Sequence, residues 1–335
     1  MTDLDQLLKG TARSLYLSAR LLPAKIRGAF SIAYLLCRYA DTIADTSLLP
    51  ADKRLYWVAL FPECVAKEDI SILATLTHHI ANSQQNIYET QLLQNLPRCL
   101  QAYGKLPQPQ KELILQVVNA VCQGMEIDLQ TFPNEKSGQV EAFTTPEELE
   151  NYCHLMGGAP GVFWSRLLVD MKAVRCKPDV FLSLGQDIGD ALQIVNILRD
   201  LPRDLRIGRC YIPLDDLVEE GIVASDLLKP QFAAQFEPVK RKWIAWARQK
   251  LLSAGNYFEG IGLMQLRNRA AVAWPVLWAA DTLNLLEKEN NLLDPSVHVK
   301  IERSRIYSTM RLTPLFLLHS GIFRMWLKRK LSAGK

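Results

Sequence analysis

The sequence predicts an all-α protein folded as a single domain, and three observations carry that prediction. Apolar residues recur with helical periodicity along nearly the whole chain, strand alternation is almost absent, and the breaks between helical segments are short. Of the 335 residues, 49% are hydrophobic and 22% charged, which supplies a large core and excludes a disordered chain. That length allows two ordinary domains or one large helical one. The absence of a Gly/Ser/Pro-rich linker, an internal repeat or a low-complexity stretch favours the single domain.

The N-terminus, MTDLDQLLKGTARSLYL, carries acidic residues where a signal peptide is basic and has no uninterrupted apolar core, so export by that route is not expected. Helix breaks are predicted at 49–52, at 106–110 (LPQPQ), at 132–138, at Pro146, at Lys177 and Pro178, near Pro213, at Lys229 and Pro230, and at 294–296. With typical lengths of about 11 to 12 residues, these leave roughly ten or more helices. The apolar run from Leu312 to Leu327 is 16 residues long and contains His319 and Arg324. It falls short of the roughly 20 residues of a spanning helix. Followed by Lys328 to Lys330, it reads either as a final core helix with a solvated basic end or as an amphipathic helix lying on a membrane surface. The chain therefore divides into a main body, 1–310, and an apolar, basic tail, 311–335. It is expected to be cytoplasmic, with the tail able to touch the inner face of a membrane.

A net charge of +4, with the basic residues spread out, gives no nucleic-acid signature. The seven cysteines include no CxxC pair, a pattern of free thiols in a reducing compartment and not of a disulfide frame or zinc site.

Two polar stripes interrupt the apolar pattern. In YLLCRYADTIAD, Tyr34, Arg38, Asp41 and Asp45 fall at i, i+4, i+7 and i+11 and share one helical face. Two carboxylates one turn apart repel unless a cation lies between them. The stretch LGQDIGDALQIVNILRDLPRDLRIGRCYIP repeats the arrangement with Gln193, Asn196, Asp200 and Asp204. Pro202 is expected to kink or end that helix and to leave Asp204 in a turn beyond it. One such pair alone reads as a solvated surface feature. Two of them suit Mg²⁺, which takes one or two carboxylates, keeps waters and completes its octahedron with substrate phosphates. A four-helix di-metal oxidase is disfavoured, because no E-x-x-H motif lies near either pair.

The segments RSLYLSARLLPAKIRGAFSIAYLLCRYADTIAD, YCHLMGGAPG and ALQIVNILRDLPRDLRIGRCYIP resemble the signatures of the squalene and phytoene synthase family, in the same order. The resemblance runs from about Arg13 to about Arg305 and is weaker from Leu48 to Ala120. It implies an all-α isoprenoid-synthase bundle with a central cavity, in which two prenyl diphosphates are joined head to head through a cyclopropyl intermediate. By position it implies Mg²⁺ at Asp41, Asp45, Asp200 and Asp204. It places Arg13, Ser14, Tyr34, Arg38, Gln193, Asn196, Arg199 and Arg209 on the diphosphate side of the cavity, and Tyr152 near the reacting carbons. Asp128, in a patch with Gly124, Met125 and Glu126, is expected near Arg38 or Tyr152. Leu15 stands where an aromatic residue is common, Met156, Gly157 and Gly158 replace V-A-G, and Arg203 replaces an acidic residue, lowering the charge beside the second motif.

The stretches MQLRNRAAVAWP and VKIERSRIY resemble segments of squalene synthases in particular, and the second offers Lys300, Arg303 and Arg305 to the phosphates of NADPH. There is no GxGxxG, so a dinucleotide would bind without a Rossmann unit; the plain alternative for the trio is a solvated helix face. The expected reaction is therefore condensation of two farnesyl diphosphates through presqualene diphosphate to squalene, by a monomer using Mg²⁺ and NADPH. The alternatives are a phytoene or dehydrosqualene synthase without NADPH, an enzyme stopping at presqualene diphosphate or hydroxysqualene, and a non-catalytic homologue.

Overall fold

Proline and glycine punctuation cuts the chain into helices much where the sequence places its breaks. The computed structural model describes residues 3–69, 71, 73, 80, 87–135 and 137–332, with the side chains of 3, 13 and 14 excepted. The chain falls into two compact units, Met1–Gln130 and Thr131–Lys335.

The first unit contains α1 (Asp3–Thr11), α2 (Arg13–Leu21), α3 (Ala24–Asp45), α4 (Ala51–Lys67), α5 (Ile87–Gln94), α6 (Leu96–Gly104) and α7 (Gln108–Thr131). Its axis is α3, against which α1, α2, α4, α5 and α6 pack. Pro23 sets the start of α3 and Pro50 that of α4, each just ahead of the first turn, where a missing N–H costs nothing. Leu7, Leu35, Leu92 and Cys99 bring α1, α3, α5 and α6 into one apolar cluster. Tyr39 stacks on Phe61 at 5.1 Å and joins α3 to α4. This packing fixes the polar stripe of α3 by burying the faces beside it.

In the second unit, β1 (Glu141–Ala142) pairs in parallel with β2 (Arg209–Cys210), in the register Glu141 to Arg209. Between them lie α8 (Pro146–Cys153), a π-helical turn at His154–Gly158, α9 (Ala159–Asp170) and α10 (Pro178–Arg206). Beyond β2 come α11 (Leu214–Glu219), two 3₁₀ turns, α12 (Ala233–Gly260), α13 (Leu266–Lys288), α14 (Arg303–Leu317) and α15 (Ser320–Ser332). The centre is α10, packed on α9, α12, α13 and the π-helical turn. Gly157 and Gly189 make that last approach possible: a Cβ on Gly157 would lie 2.2 Å from the Gly189 carbonyl oxygen. This accounts for one departure from V-A-G, since alanine at 157 has no room here.

Two expectations are corrected. Pro202 does not end α10, which continues to Arg206 and keeps Asp204 within the helix. Proline there removes the bond to the Leu198 carbonyl, at a cost of about 3 kcal/mol. Leu198, Leu201, Pro202 and Leu205 are all buried, and burial at roughly 1.5 to 3 kcal/mol for each leucine outweighs that cost. The apolar run from Leu312 to Leu327 is not one helix but parts of α14 and α15, separated at Leu318 and His319. The buried Arg269 stabilises this break by donating to the Leu317 carbonyl and, at 2.8 Å, to Ser320 Oγ. Among the described residues, no helix is long and apolar enough to cross a membrane.

Candidate active site

The first aspartate pair belongs to the first unit. On α3, Tyr34 donates from its hydroxyl to the Thr11 carbonyl at 3.0 Å, which ties the stripe to the end of α1. One turn on, Arg38 forms an ion pair with Asp41 and reaches Glu89 on α5 at 3.3 Å. Burial works to lower the Arg38 guanidinium's proton affinity, but Asp41, Tyr34, Glu89 and Asp45 together hold it above its ordinary range. Asp41 is half-buried, whereas Asp45, the last residue of α3, is exposed. The helix thus presents an arginine already surrounded by negative charge, a charge pattern into which a cation and a phosphate can both fit. Glu89 was not among the residues expected from the sequence. Arg13 and Ser14 lie in α2, with side chains outside the described residues. Asp128 is buried in α7, and burial raises the carboxyl of nearby Glu126.

The second pair belongs to the second unit, on the last three turns of α10. Asp200 receives two hydrogen bonds from Arg199, at 2.9 and 2.7 Å, in a bidentate pair. Asp204 receives two from Arg203 on a single oxygen, at 3.2 and 3.1 Å. Burial pushes the Asp204 carboxyl up to about 6; Arg203 opposes this, Asp200 adds to it and Arg209 opposes it. Arg203, read as diluting the charge of the motif, does so by direct pairing. Gln193 is half-buried and Asn196 exposed on the same stripe. Arg209, on β2, is paired with Glu135 and lies 3.5 Å from the Tyr211 hydroxyl. Glu135, like Glu89, comes from a distant part of the sequence.

Tyr152 lies at the end of α8, 3% exposed, with its ring stacked on Tyr211 at 5.0 Å and tilted against Phe143 at 5.5 Å. Phe132 completes this aromatic group. Tyr211 follows β2 by one residue, so the short strand pair sets both Arg209 and the ring that meets Tyr152. On another face of α10, Lys250 donates to Asp187 and Asp190 at 2.9 and 3.0 Å and pins α12 to α10. Lys300 precedes α14, and Arg303 and Arg305 lie in its first turn; all three are exposed.

The donor sets suit Mg²⁺. Among the described residues no three His, Cys, Asp or Glu side chains gather as a protein-only metal cage. Each unit instead offers two carboxylates at i, i+4, the sparse oxygen set of an ion that keeps its waters and takes phosphate oxygens. The raised Asp204 carboxyl is a further sign, being a buried anion that its arginines compensate only in part.

The family model described as squalene/phytoene synthase matches residues 8–305. A bifunctional lycopene cyclase/phytoene synthase of Pyrenophora tritici-repentis is 27% identical over 241 residues, covering 70% of this chain and 38% of that protein. The squalene synthase of Schizosaccharomyces pombe is 30% identical over 297 residues, covering 88% of this chain and 61% of that protein. The chain thus spans about two fifths of the first relative and three fifths of the second. A solved complex of TcSQS with the ligand BPH1237 superposes with a TM-score of 0.80 at 19% identity, covering 98% of this chain and 90% of that one. At that identity the likeness is one of fold: a helical isoprenoid-synthase bundle.

Proposed function

We propose, for a chain that belongs to the squalene/phytoene synthase family, that it joins two prenyl diphosphates head to head. The observation that carries this reading is the pair of D-x-x-x-D motifs, each with an arginine on the same helix bonded to its first aspartate. Asp41, Asp45, Asp200 and Asp204 would hold Mg²⁺, which supplies charge neutralisation for a departing diphosphate. Arg38 and Arg199 donate to the diphosphate oxygens, where a planar fork is suited to the task. Tyr34 in the first unit, and Gln193, Asn196 and Arg209 in the second, would orient diphosphate oxygens. Ionisation leaves an allylic carbocation that water would quench, so the chain must surround it with apolar and aromatic side chains. Tyr152 and Tyr211 provide aromatic faces for positive charge. The Tyr152 hydroxyl is a candidate to accept the proton lost when the cyclopropane closes.

For the finer reading we take farnesyl diphosphate as substrate, presqualene diphosphate as intermediate and squalene as product, with NADPH as hydride donor near Lys300, Arg303 and Arg305. The similarity to the squalene synthase of Schizosaccharomyces pombe supports it, and the similarity to phytoene synthases keeps a second reading, proton loss without NADPH. Mass analysis of products from farnesyl and geranylgeranyl diphosphate, with and without NADPH and with and without Mg²⁺, tests both. Pyrophosphate release that needs Mg²⁺ is expected, and its absence with either substrate would leave a non-catalytic homologue. Squalene should form only when NADPH is present.

A further inference from the structure

From Arg303 to Lys335 the sequence holds eight Lys and Arg and no Asp or Glu. The structure sorts these cations by face. Lys330 turns inward and pairs with Asp281, and Arg324 pairs with Glu259 at the surface. Arg311, Lys328 and Arg329 are exposed and make no ion pair among the described residues. The inner face of the two helices is fully engaged: Thr313 accepts from Trp274 Nε1 at 2.8 Å, and Phe323 stacks on Phe258 at 4.2 Å. The buried Arg269 clamps the junction between them. The outer face has no such partners. Leu315, Leu318 and Met325 are 60%, 55% and 66% exposed, and Ile322 lies beside them on the shallow depression at the helix junction.

The spacing makes this one surface. Arg311 and Leu315 fall at i and i+4 on α14 and Leu318 is the residue that caps its end, while Ile322, Met325 and Arg329 fall at i, i+3 and i+7 on α15. The apolar residues therefore bracket the junction, and the unpaired cations stand at the outer ends of both stripes. We propose that this helix pair is a docking surface for an anionic lipid bilayer: the four apolar side chains enter the acyl boundary and Arg311, Lys328 and Arg329 meet the headgroups. Charge decides the occupant. A second copy of this chain would bring the same unpaired cations against themselves, whereas an anionic leaflet complements them. Since the inner face is held by Arg269 and the aromatic packing, the outer face is presented without any rearrangement, so docking has little ordering cost.

The test is co-sedimentation of the full chain with vesicles of phosphatidylcholine alone and of phosphatidylcholine with phosphatidylglycerol, and it does not depend on catalysis. The chain should bind the anionic vesicles, bind the neutral ones far less, and be released by high salt. Arg311→Ala with Arg329→Ala should weaken binding about 25-fold, at about fivefold for each cation. Leu315→Ser with Met325→Ser should weaken it at least tenfold, while Leu252→Ser, at an exposed leucine on α12, should leave it unchanged. All these positions are exposed, and a melting curve for each variant confirms that the fold is kept. Failure of the wild-type chain to bind anionic vesicles at low salt overturns the proposal, as does wild-type binding by the Leu315→Ser, Met325→Ser variant. Sedimentation of the chain as a dimer that Met325→Ser dissolves would assign the face to a second copy. Tighter retention on a random oligonucleotide than on vesicles would assign it to nucleic acid.

Discussion

At the scale of single residues, the aspartates and their arginines govern the outcome. On the proposed reading, removing Asp41 or Asp200 deletes a carboxylate that would face the metal and that only the reaction needs. Asp41→Ala and Asp200→Ala should each lower Mg²⁺-dependent pyrophosphate release by at least about 100-fold, within the range of losses for electrostatic groups at active sites. Both positions are partly exposed, so their ion pairs contribute little and stability should change by about 1 kcal/mol or less. Near-normal release by either variant would remove the two-motif site. Asp204 lies within α10 and not in a turn beyond it, so Asp204→Ala should be as severe as Asp200→Ala. The aspartates were legible from the sequence because i, i+4 spacing is a local property of a helix. Glu89 and Glu135 were not, because they meet Arg38 and Arg209 across 51 and 74 positions of sequence. No local pattern records such a pairing; only the packed fold creates it.

The buried thiols add a pH dependence. Burial pushes Cys99 and Cys210 up to about 12, against an ordinary value of 9. Because the folded state holds these protons more tightly than the unfolded chain, their stabilisation is complete below pH 9. It is lost as the pH rises from 9 towards 12, at about 1.4 kcal/mol per pH unit for each thiol. Urea midpoints should therefore fall between pH 9 and pH 11. Cys99→Ala should shallow that fall relative to wild type, even though it lowers the midpoint at pH 8 by leaving a cavity. A slope equal to that of wild type would show that Cys99 does not titrate with unfolding.

At the scale of elements, proline and glycine were read with unequal success. Prolines that precede helices, Pro50, Pro146 and Pro178, lie at or beside the first turn as expected. Pro202 misled, because a local rule about one missing hydrogen bond was set against a buried apolar face whose extent depends on the neighbouring helices. The glycines of the π-helical turn carried a signal that sequence could report only as a departure from V-A-G. The structure gives the reason, which is the contact between Gly157 and the Gly189 backbone. Restoring the common residue should therefore do harm. Gly157→Ala places a Cβ 2.2 Å from a carbonyl oxygen that belongs to backbone and cannot swing aside. The expected cost is about 1 to 3 kcal/mol, measured by urea unfolding. An unchanged midpoint would mean that α10 and the π-helical turn can separate freely.

At the scale of the whole molecule, the all-α class was legible because periodicity persists over hundreds of residues, whereas the division at Gln130 and Thr131 carries no linker composition to announce it. On the proposed function the product is decided at this scale as well, since it would depend on whether a reductant reaches the final cation. Arg303 and Arg305 occupy the first turn of α14, where the helix dipole already disfavours positive charge. Cations kept at a helix N-terminus are more easily understood if an anion joins them there, and the phosphates of NADPH would do so. On that reading Arg303→Ala with Arg305→Ala should still consume farnesyl diphosphate and release pyrophosphate at close to the wild-type rate. Squalene should fall and presqualene diphosphate should accumulate, both followed by mass analysis over time. The double variant should also raise the NADPH concentration needed for half-maximal squalene formation, an effect that a merely structural role would not produce. If the wild-type chain yields its full product with no NADPH present, the hydride step does not occur, and proton loss to a phytoene-type triene takes its place.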